Sequence, residues 1–223
     1  MLRSLPLFPL NTALVPGLVM PLHIFEPRYR AMVEELLDEP DDDARVFAMV
    51  AVRDGRSIER DGIDALHPVG VTTLLRDAER YRDGRFDIVT VGQERFRLHD
   101  IDTSAPLIRA DVELLEEPDI DVDPVLAERS VRAFAAYRQL LSLDLDDHAG
   151  LATGVRQDPS VASFLITASM VLPTAERQVL LEAPDAEQRL RLAARLLVRE
   201  HALITSLSAI PALDPILTTP SVN

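Results

Sequence analysis

The chain has no lysine; all 23 of its basic residues are arginine. That absence removes several chemistries from these residues. A Walker A phosphate loop needs a Gly-Lys-Ser/Thr run whose ammonium reaches the phosphates. A Ser-Lys dyad needs an amine to take the serine proton, and Schiff-base or pyridoxal chemistry needs an amine as well. Cysteine is also absent, which excludes disulfides and thiolate metal sites and fits a reducing compartment. No apolar run approaches the roughly 20 residues that span a bilayer. Prolines interrupt any signal-peptide core after Arg3, so a cytoplasmic protein is expected.

Excess positive charge is lacking too: the formal net charge is −14. Divided at Pro118, the first part sets 14 arginines against 23 acids (−9) and the second 9 against 14 (−5). Neither part is basic, so non-specific attraction to nucleic-acid phosphates or anionic lipid is disfavoured. The histidines (His23, His67, His99, His148, His201) form no H-x-x-x-H pair. Carboxylates adjoin them in sequence at Asp146-Asp147-His148 and Glu200-His201, among others, without the converging set of ligands that a metal needs. Asp41-Asp42-Asp43 lacks the alternating spacing and turn glycine of a calcium loop. No G-x-S-x-G elbow exists. The expectation is no metal, no cofactor and no catalytic residue, hence a non-enzymatic protein.

What is present is most informative between Leu5 and Arg30. Pro6, Pro9, Pro16 and Pro21 punctuate apolar residues, a pattern that suits neither a helix nor a central strand, because proline supplies no backbone donor. Two edge-type segments, Leu5–Leu14 and Leu18–Phe25, are predicted as a hairpin joined at Val15-Pro16-Gly17. A helix then opens at Glu26-Pro27-Arg28, with proline at its first turn. It runs to Leu37, with Tyr29, Met32, Val33, Leu36 and Leu37 on one face.

Strand signals follow at Arg45–Arg53, Pro68–Leu75, Arg85–Val91, Glu94–Ile101 and Leu107–Leu115. Tyr81-Arg82-Asp83-Gly84 supplies a hairpin turn and Gly92 a turn or bulge. Seven short strands with one helix inserted after the second predict a small, partly closed barrel. After Pro118 the period changes. Asp123-Pro124 and Asp158-Pro159 each pair an N-cap with a proline at N1. The first opens a helix over Val125–Leu143, with Val131, Phe134, Ala135 and Leu141 inward. The second aligns Val161, Phe164, Leu165 and Ala168. Thr174 starts a short helix through Leu181, and Asp185 with Gln188 starts a last one through about Ile204. The expected layout is a β-barrel-like subdomain over residues 1–118, a helical bundle over 119–208 and a proline-containing tail over 209–223.

The local sequences resemble the Lon protease substrate-binding (N-terminal) domain family. The opening P-L-F-P-L-N-x-A-L-V-P-G matches at Pro6–Asn11 and Ala13–Gly17, and P-L-H-I-F-E-P-R-Y-R at Pro21–Arg30. A middle signature sits at Tyr81, Asp83–Phe86, Gly92 and Arg95–Arg97, and further agreement at Leu180–Asp185 and Arg189-Leu190. The resemblance spans roughly Leu5 to Ala202. It implies an α+β fold: a PUA-like β pseudobarrel with one inserted helix, followed by a C-terminal helical bundle. It also implies a role in binding unfolded or tagged proteins. In full proteases an ATPase and a peptidase follow; a stand-alone recognition protein is expected here.

Two surfaces are candidates. Arg76, Arg80, Arg82, Arg85, Arg95 and Arg97 would suit an acidic partner, but interleaved Asp77, Glu79, Asp83, Asp87 and Glu94 are expected to pair with them. In the opening segment, Leu7, Leu10, Leu22 and Ile24 are expected inward, leaving Phe8, Pro9, Met20 and Phe25 on an apolar outer face. His23, Glu26 and Arg28 stand at the corner before the helix. Phe8, Pro9, Met20, His23, Phe25 and Arg28 are therefore the peptide-binding candidates, working by apolar capture between barrel and helices with edge-strand pairing. The expected partners are unfolded or extended polypeptides, with delivery to a separate ATP-dependent protease or a chaperone as the wider role. The alternatives are a nucleic-acid-binding PUA-like barrel and an uncharacterised hydrolase.

Overall fold

A computed structural model describes residues 2–141, 158–207 and 221–222. Asp146, Asp147, His148, the predicted helix end beyond Leu141, and Pro211, Pro215 and Pro220 lie outside them. The chain divides into two compact units, Met1–Glu116 with Asp214–Asn223, and Glu117–Leu213.

The first unit is a mixed sheet built on strands β1 (Leu2–Leu10), β2 (Val19–Ile24), β3 (Val46–Ala51), β4 (Val69–Arg80), β5 (Phe86–Asp102), β6 (Arg109–Leu114) and β7 (Ser221–Val222). Their order is β4-β3-β1-β6-β5-β2-β7, and a further β4–β5 pairing closes the first five of them into a ring. The closure rests on the length of β5. Its first half pairs with β2, its second half with β6, and β4 runs along most of it. Gly92, expected to mark a turn or bulge, lies inside this single strand beside a register shift against β4, between the pairs Thr73–Gly92 and Val71–Arg95. A Cβ there would meet the Val15 carbonyl oxygen at 2.5 Å. The missing side chain lets Gly17 N–H donate to the Gly92 carbonyl at 2.8 Å and Gly92 N–H donate to Leu18 at 3.0 Å.

The predicted opening hairpin does not form: β6 and β5 stand between β1 and β2. Val15-Pro16-Gly17-Leu18 does turn the chain, with Gly17 at φ +78° and Leu18 N–H donating to Val15 at 3.1 Å, but the two strands it joins diverge. Nor is β1 an edge. Its residues Leu2–Pro6 pair with β6 and Leu7–Leu10 with β3. This stagger accommodates the prolines. Leu7 N–H donates to Ile108 on the β6 side, so the nitrogen of Pro9, two residues on, faces the same side beyond the last β6 pair.

Helix α1 (Pro27–Leu37) covers Phe8 with its buried Tyr29 and carries Met32, Val33 and Leu36 inward; Leu37 is exposed. A one-turn helix α2 (Ile58–Asp61) and short 3-10 turns connect the strands. Leu7, Ala48, Val50, Phe96, Ala110 and Val112 form one apolar cluster of this unit.

The second unit is helical: α3 (Pro124–Leu140), α4 (Pro159–Ala168), α5 (Thr174–Glu182) and α6 (Ala186–Leu207). Asp123 and Asp158 cap α3 and α4 through Val125 N–H and Val161 N–H. Asp185 accepts from Gln188 N–H at 2.8 Å. Val131, Phe134, Tyr137, Ile166, Leu180, Leu190 and Leu197 meet in the core. On α4 the expected face is corrected: Val161 and Leu165 are exposed, while Ala162, Phe164 and Ile166 point inward. At the centre Arg189 is fully buried. Its guanidinium lies 3.6 Å over the Phe164 ring and donates to Ser163 Oγ and to Glu117 Oε1, each at 2.7 Å.

Candidate peptide-binding face

Strand β2 and the first half of β5 make an antiparallel ribbon whose two faces differ sharply. On one face Met20, Leu22 and Ile24 lie opposite Thr90, Ile88 and Phe86, and all six are buried. The Thr90 hydroxyl is satisfied by donating to the Met20 carbonyl at 2.9 Å. On the other face the pairs are Val19 with Val91, Pro21 with Val89, and His23 with Asp87. Val19 is 53% exposed and Val89 37%. Pro21 and Val91 are half-buried beside them. Alternation along two paired strands therefore produces a continuous apolar row open to solvent.

The row ends in an aromatic group. The Phe25 ring stacks beside His23 at 6.4 Å between centroids, and Tyr81 meets His23 edge-on at 6.2 Å. Phe25 and Tyr81 are both exposed. Asp87 fixes this group: its Oδ1 lies 2.6 Å from His23 Nδ1, and its Oδ2 accepts from the Tyr81 hydroxyl at 2.5 Å. Those hydrogen bonds, Tyr81 first and His23 second, hold the Asp87 carboxyl below the usual carboxylate range and push the Tyr81 phenol up. An Arg85 guanidinium nitrogen stands 3.3 Å from His23 Nε2. A guanidinium can only donate, so Nε2 accepts and Nδ1–H donates to Asp87. Both ring nitrogens are thus engaged, which suits a rigid platform for contact rather than proton transfer.

The structure separates the six sequence candidates. Phe8 and Met20, expected outside, are wholly buried, and this corrects the outward face assigned to the opening segment. Phe8 lies under α1, 4.4 Å from the Tyr29 ring and 6.2 Å from that of Phe47. Met20 shares the inner face with Leu22 and Ile24, as period two requires. His23 and Phe25 belong to the aromatic group. Pro9 and Arg28 line a different cleft of about 170 Å³ with Tyr29, Val52, Ser57, Ile58 and Glu59. There Arg28 donates to Glu26 at 2.9 Å and lies 4.8 Å over the Tyr29 ring, so it braces the corner. Val19, Val89, Tyr81 and Asp87 went unselected in the sequence reading. The alternation of residues 19–24 against 86–91 was the signal that could have found Val19, Val89 and Asp87.

Arginines of the other candidate surface face acids, though only Asp83 of these partners is one of the interleaved acids expected. Arg85 pairs with Asp83, Arg80 with Glu34 of α1, and Arg76 approaches Asp43, while Arg95 is buried. Among the described residues no three His, Asp or Glu side chains converge to hold a metal, and no helix is long and apolar enough to cross a membrane.

Comparison with known proteins agrees with this architecture. The family model for the ATP-dependent protease La (LON) substrate-binding domain matches residues 4–199. Lon protease 2 of Herpetosiphon aurantiacus is 30% identical over 84% of this chain and 23% of its own length. Lon protease 1 of Thermus thermophilus is 28% identical over 88% and 25%. The chain thus spans about a quarter of the curated relatives it matches. Among solved structures, a Lon N-terminal domain protein from Xanthomonas campestris superposes with a TM-score of 0.63 at 22% identity, covering 88% of this chain and 98% of that one. The N-terminal domain of Mycobacterium avium complex Lon protease gives 0.59 at 19%, covering 90% and 98%. The chain belongs to the Lon substrate-binding domain family.

Proposed function

We propose that this chain recognises unfolded or extended polypeptide without altering it chemically, through the outer face of β2 and β5. The observation that carries the reading is the exposed row Val19, Pro21, Val89 and Val91 leading to Phe25, His23 and Tyr81. Apolar side chains of a client would rest on the valines, and the aromatic group would accept a larger side chain with little entropic loss, since Asp87 already holds His23 and Tyr81. Such contacts read hydrophobicity rather than sequence. The absence of lysine supports a binding role, because the residues present can form neither a Walker A loop nor a Ser-Lys dyad. The wider role that fits is that of an adaptor supplying polypeptide to a separate ATP-dependent protease or chaperone.

The test is a titration of the purified protein with permanently unfolded, carboxymethylated α-lactalbumin. A Val89→Asp variant is expected to lose at least tenfold in affinity while keeping its melting temperature within a few degrees. Equal affinity in a folded variant would remove the β2–β5 face from recognition.

A further inference from the structure

Strand β2 borders β5 on one side, and on its other side the sheet ends in two residues from the chain's own C-terminus. Leu22 pairs with Ser221 and His23 with Val222, in parallel. This pairing lies where the exposed row passes into the aromatic group. Main-chain pairing at a sheet edge demands no particular sequence, so the edge that holds Ser221–Val222 can equally hold any extended segment. The C-terminal stretch itself has a client's composition: residues 208–223 contain one charged residue, Asp214, and three prolines.

We infer that Ser221–Val222 is a tethered occupant of the β2 edge, so that the chain's own C-terminus competes with incoming polypeptide. This rests on the proposed recognition face and adds its regulation. A tethered strand acts at an effective concentration on the order of millimolar, so even a weak contact occupies the edge for a substantial fraction of the time. The contact covers two of the six residues of β2. A client paired along all of Val19–Ile24 would therefore displace it, whereas a client offering only two residues would not. The tail would then act as a threshold that favours long extended segments over brief exposures of folded proteins.

The experiment compares the full chain, a chain ending at Leu207, and a full-length Ser221→Pro variant. Gly92 N–H donates to Leu18, which turns Pro21 and His23 toward the tail and, in this register, sets the Ser221 N–H facing β2; proline removes it. Two measurements are made: amide hydrogen exchange over Val19–Ile24 without any client, and affinity for carboxymethylated α-lactalbumin. Both altered chains are expected to exchange faster over β2 and to bind the unfolded protein about two- to tenfold more tightly. Unchanged exchange in both would overturn the tail contact, whatever the affinities. Faster exchange with unchanged or weaker affinity would overturn competition. If the altered chains exchange faster but no chain binds the unfolded protein, the recognition reading itself falls and competition with it, while the tail contact stands.

Discussion

The ring of Phe8 lies 4.4 Å from that of Tyr29, between a strand of the closed sheet and the helix that covers it. This contact removes Phe8 from any binding surface and makes it part of the core. Phe8→Ala is expected to cost about 3–5 kcal/mol, read from denaturant unfolding. Val19→Ala, on the exposed face, should stay within about 0.5 kcal/mol. A Phe8→Ala variant as stable as the parent would mean that α1 does not pack as described.

The same contact makes alkaline stability informative. Burial pushes the Tyr29 phenol up from 10.0 to about 12. In the unfolded chain it ionises near 10, so the folded state loses ground as pH rises from there through about 12. The parent should lose on the order of 2 kcal/mol more than Tyr29→Phe across that window. Parallel curves for the two proteins would contradict the burial.

At the aromatic end of the face, Asp87 titrates low because Tyr81 and His23 hydrogen-bond its carboxylate. A depressed carboxyl contributes stability above its unfolded pKa and loses it as pH falls through the lower, folded value. Tyr81→Phe removes the larger cause. An NMR titration of the Asp87 carboxyl should then show its midpoint move upward toward the ordinary carboxylate value, and an unmoved midpoint would deny the hydrogen bond its role.

Arg189 ties the helical unit together through Ser163, Glu117 and the Phe164 ring. Arg189→Ala strands the Glu117 carboxylate and opens a void, at an expected cost of about 3–5 kcal/mol. Arg189→Lys should recover only part of this, because one ammonium cannot reach both oxygens while lying flat on a ring. Thermal melts of the two variants decide it; full recovery by lysine would reduce the site to charge alone.

Much of this fold could be read from local chemistry. Helix α1 begins at Pro27 and ends at Leu37 as its periodicity requires, and Asp123 and Asp158 cap the helices they were expected to cap. Non-local pairing was less accessible. Four prolines suggested edge strands, yet Pro6 and Pro9 sit in a central strand because β6 and β3 pair with different halves of it. Sequence spacing carries no record of that stagger. The burial of Phe8 depends on a helix crossing the second face of β1, which alternation within the strand does not report. Met20 was different, since its shared period with Leu22 and Ile24 was visible and assigns it inward. On the exposed face, His23 and Phe25 stood in the opening motif, but Asp87 and Val89 arrive from over sixty residues away through the β2–β5 register, and Tyr81 joins them through its bond to Asp87.

Recognition by the outer β2–β5 face is tested most directly by methyl and aromatic NMR of the intact protein as unfolded, carboxymethylated α-lactalbumin is added. Shifts or broadening should concentrate on Val19, Val89, Val91, Phe25 and Tyr81, with Phe8 and Met20 little changed beneath them. Perturbations confined to other surfaces, or none at saturating client, would contradict it.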